Sequence, residues 1–409
     1  MTTNIAQSFD YTDAQVEKLF KIKYKNYYEN CFNVASPLWS QITKNNSFTG
    51  KKLEFPAPLG YKGGVGSGSL PESRNANYGD VLILSKKVYA TDRVDRETIM
   101  AAENQDAFED AMAECIKKTV EADLWNQNRI LFGNGDGSLG AVKTSSGVTD
   151  NGGGDYDIIC GDGASTFKEA NFEENMMINF GTGTDLFYIA DITPSTRTIG
   201  VQRQAGGINV PADADTIYLQ GSKDKDPHGM KLVLDATSGT MYNVNVGRRW
   251  QAYQYAAAAG ITTDLMNKAM INVEKKVGVP PNIIVTSFAQ YEKLLNLLED
   301  QKRYSMTTMG PKAKNMQGTI SFEGIQFMSS RGAIKIFPDK FCEDDRMYFL
   351  NSDHIVYHRR PNSGWVKEDI GGKGYLRVVD EDQFEARLAT YGNIFIAPPF
   401  HAVITGLTV

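Results

Sequence analysis

One uninterrupted stretch constrains this chain more than any other: Thr98 to Leu131, TIMAAENQDAFEDAMAECIKKTVEADLWNQNRIL, contains neither glycine nor proline. Phe108, Met112, Ile116, Val120 and Leu124 recur every four residues, with Ala111 and Cys115 one step behind, so an apolar stripe runs along one helical face. Strong helix formers fill the rest, and the spacing predicts one continuous helix about 50 Å long at ~1.5 Å per residue. A compact domain rarely spans that distance. Such a helix suits a brace across a thin, wide molecule; the competing reading is an ordinary core helix broken near its middle.

The 409 residues are 41% hydrophobic and 22% charged, which allows a sizeable core and about two or three domains. Net charge is -6, so the chain as a whole is not drawn to nucleic acid, and contact with a polyanion must rest on a local patch. The start, MTTNIAQSFDYTDAQ, has no apolar run flanked by positive charge, and no apolar run approaches the roughly 20 residues of a membrane span; neither secretion nor insertion is expected. Cys31, Cys115, Cys160 and Cys342 lie far apart without a CxxC pair, the pattern of buried thiols in a reducing compartment.

Along the chain, 13–30 reads as a short, aromatic-rich helical arm made locally basic by Lys18, Lys21, Lys23 and Lys25. KKLEFPAPLG and VLILSKKVYATDRV, separated by a Gly- and Ser-rich stretch, predict a long hairpin with a mobile tip. Leu53, Phe55, Leu82, Leu84, Val88 and Tyr89 are more apolar groups than a two-stranded ribbon can bury, so a neighbouring surface is implied, from this chain or another copy. In 142–231, LFYIADI and RTIGV flank Thr193-Pro194-Ser195-Thr196 as a hairpin and DTIYLQG adds a strand, which predicts a small all-β insertion. From Thr262 the pattern changes: a helix stopped by Gly278, Pro280 and Pro281, a buried-type strand at Asn282–Thr286, and a helix opened by a Ser287/Gln290 capping box. The remainder is mostly strand, giving an α+β architecture.

Chemical motifs are few. Gly135, Gly137 and Gly140 satisfy GxGxxG, but a helix precedes them where a dinucleotide site needs a strand, so they read as a turn. Asp224, Asp226, His228, Gly229 and Asp235 fall at calcium-loop spacing, with flanks that read as strand and loop. His354 and His358 could share a metal on a helix, but HIVYH is strand-like, which separates them by some 13 Å. No GxSxG, Walker or cysteine-ligand pattern occurs, and the chain reads as a non-enzyme without cofactor or metal.

The order of parts resembles the major capsid proteins of tailed bacteriophages, the Hong Kong 97-like shell subunits. FPAPLGYKGGVGSGSLPES, DAFEDAMAECIKKTVEADLWNQNRILFGNGDGSLGAV, MYNVNVGRRWQAYQ, NIIVTSFAQYEKLLNLLED, FEGIQFMSSRGAIKIF, RMYFLNSDHIVYHRR and FEARLATYGNIFIAPPFHAVITGL carry the likeness. The resemblance implies an N-terminal arm (1–49), an extended hairpin loop over a neighbouring subunit (50–96), a spine helix and turn (97–141), an inserted β-rich subdomain (142–240), an axial domain (241–345), peripheral strands (346–392) and closing strands (393–409). Leu53, Phe55, Leu59, Lys62, Leu82, Leu84 and Tyr89 would then form the subunit interface, and Phe108, Met112, Ile116, Val120 and Leu124 the stripe of the spine. Implied partners are other copies in hexamers and pentamers, a separate scaffolding protein, a portal, packaged DNA at the inner surface and decoration proteins, with assembly in the host cytoplasm and no membrane. Some members of the family crosslink Lys to Asn; Lys62 and Asn362 are present, but no motif locates the carboxylate that step needs. Two alternatives remain at this stage: an encapsulin shell, and a β-rich carbohydrate-binding or hydrolytic protein.

Overall fold

A computed structural model describes residues 37–60, 78–95, 119, 121–163, 167–181, 183–205, 210–300, 326–329, 332–360, 364–365, 375–378 and 382–408. Residues 1–36 of the N-terminal arm, the expected spine positions Phe108, Met112, Ile116 and Val120, and Lys62, Asn362, Cys31 and Cys115 lie outside them. Of the spine, 121–132 is helical, with Leu124 half-buried and Ile130, Leu131 and Phe132 fully buried.

The backbone is organised by one strand of 14 residues, Gln383–Ile396. Its residues 383–392 pair antiparallel with Lys86–Asp95, while Ile355–Arg359, Gly364–Trp365 and Tyr375–Arg377 pair with successive parts of it. Here the expected single long hairpin is corrected. Lys52–Pro58 does pair in register with Tyr78–Leu84, but the chain turns at Ser85 and the next ten residues join the peripheral sheet instead.

A second sheet runs Tyr253–Ala256, Ala402–Thr405, Met347–Leu350, Ile283–Thr286, Gly332–Pro338, Gln326–Ser329. Its central strands are buried on both faces: Met347 and Phe349 enter one core with Met266, Met270 and Ile404, whereas Tyr348 and Leu350 enter another with Phe132 and Val403. Helix Thr263–Val277 covers the first face, closed as the sequence predicts by left-handed Gly278 and capped at its start by Thr262 Oγ1, which accepts from Leu265 N. The next helix realises half a capping box. Gln290 N donates to Ser287 Oγ, but the Gln290 amide donates to the Asp344 and Thr408 carbonyls rather than turning back.

The third sheet, Ser138 to Leu219, contains the expected hairpin Leu186–Thr193/Thr198–Ala205 and closes on itself. Strand Ser138–Ala141 pairs with Thr216–Leu219, and the following residues pair with the end of Asp155–Ile159 through the Val142–Cys160 bridge and the Lys143 N to Ile159 O bond. Six strands thus form a small barrel, with Val148–Gly152 appended outside it. Ile158, Ile178, Phe187, Ile189, Ile199 and Ile217 fill the interior, and closure removes the edges a lone sheet would expose. Gly135 and Gly137 do form the turn into this barrel at positive φ; a Cβ on Gly137 would meet Ser222 O at 2.2 Å.

A buried charge cluster fastens the barrel to the second sheet. Glu343 Oε1 receives Lys231 Nζ at 2.7 Å and Lys168 Nζ at 3.4 Å, and Glu343 also meets Arg346, which forks onto Asp235 at 2.7 and 2.9 Å. Burial alone would raise the Glu343 pKa, but Lys168, Lys231 and Arg346 hold it down to about 2. Beside it, Trp125 donates to Ala170 O at 3.0 Å and packs edge-on against Phe341. Replacing Glu343 by Gln strands buried cations and is expected to cost about 3–5 kcal/mol in urea unfolding at pH 7. Because the folded carboxyl is depressed, its contribution is full above the ordinary pKa of 4.5 and fades as pH falls toward about 2. The variant's stability should therefore converge on that of the wild type as pH falls through this window.

Candidate functional site: the hairpin and its seat

Alternation sorts the hairpin into two faces. Leu53, Phe55 and Ala57 lie opposite Ile83, Val81 and Gly79, and this face turns inward; Val81 and Ile83 are fully buried. The neighbouring surface that the surplus of apolar groups demanded is supplied by this chain for Leu53, Phe55 and Leu59, which pack against its own largest core. The other face carries Leu82, half-buried, and Leu84, 52% exposed, with Tyr78 at 60%; Tyr89, in the following strand, is 47% exposed. The proposed interface set is thus divided. Lys52 pairs with Glu54 of its own strand at 2.6 Å, and Lys86 donates to Asp224 O at 3.1 Å.

The seat beneath the hairpin is a row of rings. Phe55 meets Phe395 edge-on at 5.0 Å, Phe395 meets Tyr242 at 5.2 Å, and Tyr242 meets His228 at 5.0 Å. Tyr242 and Asn243 occupy the turn between strands Thr240–Met241 and Val244–Asn245, both at positive φ, as a two-residue hairpin turn with right-handed strand twist requires. That turn aims Tyr242 with three bonds: its hydroxyl donates to Ile394 O and accepts from Ile396 N, while its carbonyl accepts from Leu82 N at 2.9 Å.

Asn393 completes the joint. Fully buried, it accepts from His228 N at 2.8 Å through Oδ1 and donates to Leu84 O at 2.9 Å through Nδ2. One side chain therefore ties the hairpin's end, the segment leaving the barrel and the long strand. Next to it, a Cβ on Gly392 would meet His358 O at 2.3 Å. Sequence reasoning missed Gly392, Asn393 and Tyr242: a lone Asn inside a strand carries no local signal, and the Tyr-Asn pair between two short β-type runs, which could have suggested a tight turn, was not read as one.

The acids at calcium-loop spacing, whose flanks already read against such a loop, have other partners. Asp226 pairs with Arg129 at 2.8 Å in a buried bridge, Asp235 is held by Arg346, and among the described residues no cluster of His, Cys, Asp or Glu is arranged to hold a metal. His358 lies in the strand Ile355–Arg359, as the strand reading of HIVYH expects, whereas His354 ends the 3-10 turn Ser352–His354 just before it and stacks on Phe400 with centroids 3.5 Å apart. Cys160 and Cys342 are buried free thiols. Among the described residues, no helix is long and apolar enough to cross a membrane.

No protein-family model and no curated protein matches this chain. Solved structures do. A chain of the cyanophage A-1(L) capsid asymmetric unit aligns over 95% of this chain and 97% of its own length, at 14% identity and a TM-score of 0.54. This chain has the Hong Kong 97-like capsid fold. Chains of Mycobacterium phage Adephagia (12% identity, 98% and 99% coverage, TM-score 0.41) and of a holo-encapsulin complex from Synechococcus elongatus (8% identity, 91% and 89% coverage, TM-score 0.45) also align. The bonds of Asn393 and Tyr242 fasten the root of the hairpin to the body of this fold.

His228 is pushed down to about 4 by burial and the nearby Lys86 charge. A histidine depressed in the fold contributes stability above its unfolded pKa of 6.5 and loses it as pH falls toward about 4. Protection of the Leu82 and Leu84 amides from hydrogen exchange should weaken as pH falls from 6.5 to 4, once the intrinsic slowing of exchange over that range is divided out, and His228→Gln should flatten that dependence. Asn393→Ala, which removes the side-chain partner of the part-buried Leu84 O and His228 N, is expected to cost about 2–4 kcal/mol in denaturant unfolding at pH 7.

Proposed function

We propose that this chain is the major capsid protein of a tailed phage, many copies of which close into an icosahedral head around double-stranded DNA. The observation that carries the reading is the end-to-end alignment with the cyanophage capsid chain, which spans nearly the whole of both proteins. The joint fits this role: a hairpin seated rigidly at its root can present its outward side chains to a neighbour at a fixed angle. The reading assigns the chain no catalytic step.

Within this proposal Leu84, the exposed member of the interface set on the hairpin itself, meets the neighbouring subunit together with Tyr78, whereas Leu53, Phe55 and Leu59 hold the hairpin to its own body; Tyr89 lies on the following strand beside Lys87 and takes no part in that contact. The divisions at 50–96, 97–141, 142–240, 241–345, 346–392 and 393–409 are retained as the subunit's functional parts. Assembly takes place in the host cytoplasm and uses a separate scaffolding protein and a portal, with decoration proteins as further partners.

Sedimentation and negative-stain microscopy of the chain expressed with a candidate scaffolding protein should give closed shells or capsomer rings; a monodisperse monomer under all conditions would overturn the reading. Enzyme cargo in place of DNA would favour a cellular shell. Tyr78→Asp/Leu84→Asp should leave melting within a few degrees of wild type and abolish shells. Phe55→Asp should instead lower stability by about 3 kcal/mol or more, since it places a charge against a packed core.

A further inference from the structure

The ribbon formed by Lys86–Asp95 and residues 383–392 has one face that the hairpin joint does not use. Register places Lys87, Tyr89, Thr91 and Arg93 on it, opposite Tyr391, Ala389, Arg387 and Glu385. Lys87, Tyr89, Thr91 and Arg93 are exposed, and Arg387 is 42% exposed. The opposite face, with Val88, Ala90 and Leu388, is buried.

Charge on this face is one-sided and held in place. Glu385, its side chain only 6% exposed, receives Arg93 Nε at 3.0 Å on one oxygen and Arg387 at 2.5 and 2.8 Å on the other, which fixes both guanidinium groups. At the other end Tyr89 and Tyr391 meet edge-on at 6.1 Å, and Lys87 and Arg360 act electrostatically on Tyr391. From Lys87 to Arg93, the described residues set Lys87, Arg93, Arg360 and Arg387 against the single carboxylate Glu385. In a chain of net charge -6, this is a local concentration of positive charge.

The spacing matches a nucleic-acid backbone. Alternate residues on a strand are ~6.8 Å apart, which is two base steps of ~3.4 Å, so the ~20 Å from Lys87 to Arg93 covers about six steps. Tyrosine hydroxyls and arginine N–H groups are both phosphate donors. We propose that this ribbon face binds duplex DNA through its phosphate backbone, without reading base sequence. In biology it would be the face turned to the packaged genome, and in that respect the proposal rests on the shell reading; the binding chemistry does not.

The test is fluorescence anisotropy of a labelled mixed-sequence 30-base-pair duplex with the full chain, across salt. For three net cations, affinity should fall roughly 40-fold between 50 and 200 mM salt, from a log–log slope of about -0.9 per phosphate contact. Lys87→Gln should reduce the slope by about 0.9, and Lys87→Gln/Arg387→Gln by about 1.8, with melting temperatures near wild type. Arg248→Gln/Lys275→Gln, which removes two exposed cations elsewhere, should leave binding unchanged. Equal losses from the ribbon and control variants, or no binding by wild type at 50 mM salt, would overturn the proposal. So would a ribbon variant that binds DNA normally but fails to form particles, which would make the face a contact between subunits. Failure of wild type to assemble is read separately by sedimentation and bears on the shell reading alone.

Discussion

Everything in the described body depends on a strand that is shared. Gln383–Ile396 is long enough to pair with Lys86–Asp95 while also meeting three shorter strands, and its residues 392–396 are where the hairpin, the segment leaving the barrel and the peripheral sheet converge. At that point the packing admits no side chain at Gly392 and requires a donor and an acceptor from one residue at Asn393. An amide supplies both at a fixed distance, which neither a hydroxyl of shorter reach nor a carboxylate, with acceptors only, can do.

The barrel shows a different solution to the same problem of joining parts. Its interior is complete in itself, since closure pairs its backbone and alternation fills its centre. Attachment therefore falls to its rim, where Lys168, Lys231, Arg346, Asp235 and Glu343 meet in a buried cluster and Trp125 of the spine bridges to the Glu169–Asn171 turn. Ion pairs that share one carboxylate are directional, and they hold an orientation that a smooth apolar contact leaves free to slide.

Much of this was legible in local pattern. The helix Thr263–Val277 with its Gly278 end, the strand after it, the hairpin around Pro194–Thr196 and the pairing of the two hairpin segments follow from periodicity, capping and turn chemistry, all of which act within a few residues. The order of these parts, more than any one motif, pointed to the capsid fold. The long hairpin was overextended because nothing near Ser85 announces a change of partner. The same distance in sequence hid what holds the acids at calcium-loop spacing: Asp226 and Asp235 pair with Arg129 and Arg346, more than 90 residues away.

The sequence by itself determined which segments are helix or strand, where turns fall and which faces are apolar, because those depend on 3.6- and 2-residue periods and on glycine and capping chemistry. Only the tertiary structure decided what each apolar face meets: that Phe55 turns to Phe395 while Leu84 stays outside, that the insertion closes into a barrel, and that cations 87, 93, 360 and 387 gather around one ribbon. Those outcomes depend on pairings between residues well outside any local window, some of them hundreds of positions apart, and a local pattern fixes the face of a strand without naming its partner.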